Sequence, residues 1–142
     1  MSTPTTTTLD LNIIIVQLFN TQIALEYKAY FEYKQIATIL GSQSVALPGL
    51  RKLFLRKSEE ELSQADVFID KLNRRGHDFA YRNCTINSNE VISEISQLDL
   101  ANLGPGLAGF VNTAIDIEKS VYDGLAYLKI MTDEELREWD VS

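Results

Sequence analysis

The stretch between residues 9 and 40 contains neither proline nor glycine, and this uninterrupted run constrains the fold more than any other feature. Its apolar residues recur at helical spacing: Leu18, Leu25, Ala29, Tyr33, Ile36 and Leu40. A second apolar edge, formed by Phe19, Ile23, Tyr27 and Tyr30, widens that stripe. A helix of about 30 residues would be roughly 45 Å long. Because globular helices are rarely so long, the sequence predicts a bundle of long helices rather than a mixed fold.

A second helix is predicted over residues 48–75. Pro48 suits its first turn, Gly76 suits its end, and the apolar series between them is Leu50, Phe54, Ala65, Phe68 and Leu72. The connection that follows Gly41 is short, so the first two helices are expected to be antiparallel neighbours.

A third helix is predicted over residues 105–131, after a crossover that contains one weak helical patch, VISEISQL. The apolar positions of this helix lie close to a heptad seam: Leu107, Val111, Ala114, Val121, Leu125 and Leu128. The residues TDEE at 132–135 have the form of a capping box, which predicts a truncated fourth helix over about 133–140. Residues 1–8 are threonine-rich and are expected to form a flexible tail, leaving residues 9–142 as the helical domain. The predicted fold class is therefore all-α, an antiparallel bundle with a long crossover, truncated to three long helices.

Composition and charge limit the kinds of partner and the cellular locations expected for this chain. The net charge of −7 disfavours nucleic acid and attracts cations, and the longest apolar run, residues 13–16, is too short to cross a membrane. The single cysteine, Cys84, excludes an internal disulfide, and the N-terminal residues lack the features of a secretory signal or transit peptide. These features favour a cytoplasmic protein.

Three acidic residues interrupt the apolar stripes of the predicted helices. Glu118 falls within the apolar series of the third helix, Glu61 lies seven residues from both Phe54 and Phe68, and Glu26 lies at the edge of the first helix's inner face. A single glutamate at such a position is most often solvated at the edge of a stripe. Three on three helices are different, because converging carboxylates would repel each other and resist ionisation. A bound cation removes both penalties, and oxygen ligands on rigid helices suit iron or another hard cation.

Neighbouring polar residues extend this candidate site. Gln64 follows Glu61 by one helical turn and carries an amide oxygen, although such a residue is usually only a polar neighbour. Tyr33 is by default a core aromatic whose buried hydroxyl needs a hydrogen-bond partner, and a ligating carboxylate is one such partner.

The strings IALEYKAYFEYK, VALPGLRKLFLRKSEEELSQADVFIDKLNRRG and LAGFVNTAIDIEKSV resemble the first three helices of ferritins, in order. The resemblance implies an iron-storage subunit in which Glu26 and Glu61 hold a first iron, Glu61 bridges, and Glu118 holds a second. It also implies that Tyr33 acts beside that centre, and that Glu59 and Glu60 nucleate the ferric mineral. Other ferritin subunits are the expected protein partners, and Fe(II) oxidation by O2 is the implied activity.

Two differences from the ferritin pattern bear on that activity. Gln64 stands where catalytic subunits usually carry histidine, and an amide oxygen is a weaker iron ligand than an imidazole nitrogen. The pattern's fourth and fifth helices do not follow the third, which is expected to leave an apolar patch that favours association.

Three hypotheses follow from these features. The first is an iron-storage protein whose ferroxidase activity is impaired. The second is a non-catalytic or truncated subunit that assembles with full-length ferritin, and the third is a helical interaction module with solvated acids.

Overall fold

A computed structural model of the chain describes residues 5–42, 47–81 and 103–135. Within these ranges the secondary structure is three long α-helices: α1 at Thr5–Leu40, α2 at Pro48–Arg74 and α3 at Leu103–Glu135. Helix α1 packs against both α2 and α3, whereas the backbones of α2 and α3 stay apart in the described residues. The all-α helix bundle predicted from the sequence is confirmed.

The helix ends follow from local chemistry. Pro48 occupies the first turn of α2, where a missing backbone N–H costs no helical hydrogen bond. Gly76 ends α2 in the left-handed region, at φ 78°. Its N–H donates to the carbonyl of Asn73, and the N–H of His77 donates to the carbonyl of Leu72, both at 3.0 Å. This pair of hydrogen bonds is a Schellman motif, which satisfies the last carbonyls of the helix.

Two predicted boundaries were wrong. The predicted flexible tail, residues 1–8, is helical from Thr5 onward, and its first four residues lie outside the described ranges. Threonine costs only a fraction of a kcal/mol in a helix, so a growing helix extends through a threonine run that contains no breaker.

Helix α3 does not end at Met131, as predicted, but continues through the TDEE sequence to Glu135. No glycine or proline stops it there, and extending a helix is easier than starting a new one. The remainder of the expected fourth helix, the central crossover patch and Cys84 lie outside the described residues.

The core consists of two apolar clusters at different heights along the bundle. One is built around Tyr33, Ile36 and Leu40 of α1 and includes Phe54 of α2 and Val121 of α3. The other joins buried residues of all three helices with Phe79, and its members are Ile15, Phe19, Ile23, Ala65, Phe68, Leu72, Phe79 and Leu128. In it, the rings of Phe19 and Phe68 meet edge to face, with centroids 5.8 Å apart.

The seam predicted on α3 is only partly buried. Val121 and Leu128 are in the core, but Val111 is 56% exposed, and the neighbouring Ile115 is 55% exposed. These two residues lie on the side of α3 that faces the gap beside α2 rather than α1.

Among the described residues, no helix is long and apolar enough to cross a membrane.

Candidate metal centre

A layer of buried polar side chains separates the two apolar clusters. Gln22 and Glu26 contribute to it from α1, and Ser58 and Glu61 contribute from α2. The exposed fraction is 1% for Glu26 and 7% for Glu61. Each pair is spaced by three or four residues along its helix, so its members share a face. Polar groups are thus buried at the same height on two antiparallel helices.

The carboxyl groups of Glu26 and Glu61 lie in contact. The pKa of Glu61 is raised to about 9, chiefly by burial and then by a hydrogen bond with Glu26 and by the charges of Glu26 and Glu118. One oxygen of each carboxyl group, Oε2, is buried without a hydrogen-bond partner among the described residues. Unpartnered buried acceptors are costly, so the pair presents two oxygens with an unmet need for a cation or a proton.

Gln22 holds Glu26 in place. Its side-chain Nε2 donates to Glu26 Oε1 at 3.1 Å and to the backbone carbonyl of Val121 at 3.2 Å. Helix α3 comes so close at this point that a Cβ atom on Gly124 would collide with the amide oxygen of Gln22. The glycine therefore permits an approach that anchors the α1 acid to the backbone of α3.

Glu118 lies near this pair but is engaged elsewhere. Its Oε1 accepts a hydrogen bond from the Tyr33 hydroxyl at 2.6 Å and another from Lys57 Nζ at 3.2 Å. The Tyr33 hydroxyl thus has one of the three acids as its partner. Burial, followed by the hydrogen bond to Glu118, raises the pKa of Tyr33 well above its usual value, so the hydroxyl stays a donor.

The sequence-predicted residues are only partly brought together. Glu26 and Glu61 form a buried pair, and Glu118 is close enough to raise the pKa of Glu61. However, no group of three or more acidic, histidine or cysteine side chains within the described ranges is arranged to hold a metal ion. Glu59, Glu60 and Gln64 are exposed on α2.

Sequence reasoning missed two residues. It gave no role to Lys57, which contacts Glu118, or to Gln22, which donates to Glu26. Both residues precede an acid of the site by four positions, Gln22 before Glu26 and Lys57 before Glu61. That spacing puts each on the same helical face as the acid and was the available signal.

Comparisons with known proteins agree with this architecture. Residues 16–135 match the ferritin-like domain family. The chain is 32% identical over 117 residues to soma ferritin of Lymnaea stagnalis, covering 82% of this chain and 60% of that protein. It is 29% identical to chloroplastic ferritin-2 of Vigna unguiculata, over 77% of this chain and 40% of the relative. The chain is also 29% identical to the middle subunit ferritin of Salmo salar, over 81% of this chain and 59% of that protein.

A bundle of long helices with carboxyl groups buried between facing helices is the arrangement of ferritin-like carboxylate proteins. With the family match over residues 16–135, this chain belongs to the ferritin family. The resemblance seen in the three helical strings is confirmed. The chain spans 60% or less of the length of these relatives.

Proposed function

We propose that this chain binds Fe(II) between α1 and α2 and takes part in iron storage as a ferritin-family subunit. The observation that carries the proposal is the buried pair Glu26–Glu61, in which each carboxyl group keeps one oxygen that no other described residue contacts by a hydrogen bond. Such oxygens fit a hard cation, since two carboxylates facing each other are tolerable only if a proton or a positive ion lies between them.

The chemistry of the pair explains how iron would enter. With a pKa near 9, Glu61 holds its proton at neutral pH when no cation is present. An entering Fe(II) displaces that proton and supplies positive charge to both acids. The donor chemistry selects a hard cation, and the choice of iron among hard cations rests on family membership.

We further propose that Glu61 is shared between two Fe(II) ions, with Glu26 on one side and Glu118 on the other. Oxidation of the two ions would give two electrons to O2, which with two protons from water would leave as hydrogen peroxide, and two Fe(III) ions would remain. The Tyr33 hydroxyl orients Glu118 through its 2.6 Å hydrogen bond, and Gln22 orients Glu26. The roles predicted for Gln64 as a weak ligand, and for Glu59 and Glu60 as mineral nucleation points, stay predictions. So does a cytoplasmic location, since relatives in Vigna unguiculata and Brassica napus are chloroplastic ferritins.

A second candidate is a non-catalytic subunit that assembles with full-length ferritin subunits. Three observations favour it. Lys57 occupies Glu118, which weakens the second half of a di-iron centre, and Gln64 is exposed rather than buried beside Glu61. The exposed apolar side chains of Leu53, Val111 and Ile115 also give the bundle a surface suited to association.

The first proposal is tested by anaerobic Fe(II) titration followed by exposure to air. Wild type is expected to bind Fe(II) and oxidise it above the buffer rate, and Glu61→Gln is expected to lose both. Asp66→Asn is the matched control, because it makes the same acid-to-amide change on the exposed face of the same helix. Equal binding by all three proteins would refute the iron site.

The second candidate is tested by co-refolding this chain with the middle subunit ferritin of Salmo salar, followed by size-exclusion chromatography. Assembly predicts that this chain elutes with the large particle. If it stays in a small species while the full-length subunit assembles, the candidate is wrong.

A further inference from the structure

The ammonium group of Lys57 contacts Glu118, the one predicted metal-binding acid that lies outside the buried Glu26–Glu61 pair. Its Nζ lies 3.2 Å from Glu118 Oε1, and both side chains are 31% exposed. It also lies over the ring of Tyr33, 5.8 Å from the centroid. This one ammonium group therefore makes an ion pair and a cation–π contact with neighbouring parts of the site.

The Glu118 oxygen has no need of a further cation while these contacts persist. Oε1 accepts from both Lys57 and Tyr33, so charge and hydrogen bonding are satisfied on that atom. Glu26 and Glu61 differ in this respect, because each retains a buried oxygen with no hydrogen-bond partner in the part of the chain that the structure describes. The two halves of the carboxylate cluster thus differ: the Glu26–Glu61 pair is open to a cation, whereas Glu118 already has one from the protein.

Lys57 also has room to leave. A groove of about 590 Å³ runs between α2 and α3, with apolar walls that include Leu53 and Ile115, and both Lys57 and Glu118 line it. Because the ion pair is partly exposed, its strength is modest and it can be broken without burying a lone charge. A lysine stem can lie along apolar walls while its ammonium group reaches water.

We propose that the ammonium group of Lys57 takes the place of a metal ion at Glu118, and that this ion pair determines how many metal ions the three carboxylates hold. In this arrangement one ion binds at Glu26 and Glu61, and a second binds at Glu118 only when Lys57 swings into the groove. The inference rests on the proposed function, because it requires that the buried pair bind a cation.

The test is a binding isotherm rather than an activity. The full chain is titrated with Tb³⁺, a hard and redox-inert ion, and stoichiometry and affinity are followed by calorimetry and by tyrosine-sensitised Tb³⁺ emission. Lys57→Met removes the charge and keeps the long stem. Lys57→Arg keeps the charge, and Lys119→Met removes the same charge from an exposed residue that lines the same groove.

Wild type is expected to bind one Tb³⁺ per chain tightly and a second weakly. Loss of an ion pair of this exposure predicts that Lys57→Met tightens the second site about fivefold. Lys57→Arg and Lys119→Met should match wild type. If Lys57→Met and Lys119→Met give the same isotherm while tight binding persists, the inference about Lys57 is overturned. If Glu61→Gln binds Tb³⁺ as wild type does, the proposed iron site itself is overturned.

Discussion

The substitution Glu61→Gln is expected to stabilise the metal-free protein at neutral and alkaline pH. The pKa of Glu61 is raised from 4.5 to about 9, chiefly by burial. Between these two values the folded chain holds a proton that the unfolded chain releases. Stability is then highest below the unfolded pKa and falls as pH rises toward the folded pKa. Glutamine has the same shape, carries no charge and does not titrate, so the variant lacks this loss.

The size of the effect follows from the span of the shift. From pH 4.5 to about pH 7.5 is roughly 3 units, each equivalent to about 1.4 kcal/mol, so wild type loses up to about 4 kcal/mol over this range. The figure is an upper bound, because Glu26 and Glu61 titrate together and share the change. The glutamine amide also provides a donor for the neighbouring carboxylate, which adds to the stabilisation of the variant.

The assay is urea unfolding in the presence of a chelator, at several pH values between about 5 and about 8. The measured quantity is the difference in unfolding free energy between Glu61→Gln and wild type, which should grow with pH. Glu60→Gln serves as the control, because Glu60 is exposed and its removal should shift both ends of the range equally. A constant difference across the range, as in the control, would refute the argument that Glu61 is buried in protonated form.

Three further substitutions test the packing around the site by thermal and urea unfolding. Gly124→Ala should destabilise by about 1 kcal/mol net, because the added methyl group displaces the Gln22 amide from its hydrogen bonds, and this loss exceeds the gain in helix propensity; an unchanged or raised midpoint would contradict the anchoring role of Gln22. Phe68→Ala should cost about 3–5 kcal/mol through the cavity it leaves, and a loss below about 1 kcal/mol would contradict its place in the core. Tyr33→Phe should cost about 0.5–1.5 kcal/mol, since one hydrogen bond to Glu118 is lost; no loss would mean that Lys57 alone satisfies that acid.

The long helices were predictable because their causes are local. The run without proline or glycine up to Leu40 permits one continuous helix, and Gly76 supplies the left-handed residue that ends α2. The errors at the helix ends have a local cause as well. Neither the N-terminal threonines nor the TDEE sequence contains a strong breaker, and weak signals do not stop a helix that is already growing.

The polar layer was partly predictable from the same periodicity. Glu61 stands within an apolar stripe and Glu26 stands at the edge of one, and both are buried. Gln22 and Lys57 were open to the same reasoning, since each precedes one of those acids by a helical turn. They were missed because glutamine and lysine usually lie on solvated faces, and nothing in one helix shows which partner the next will bring.

The sequence by itself determined the class of fold, the lengths of the main helical runs and the positions at which acids interrupt the core. Periodicity carries that information, because it depends on residues close together along the chain. Only the tertiary structure decided that Glu26 meets Glu61 while Glu118 turns to Lys57 and Tyr33. Those pairings depend on how the three helices are rotated and how far apart they lie. Residues 61 and 118 are far apart in sequence, so the distance between their side chains is set by helix packing rather than by a local pattern.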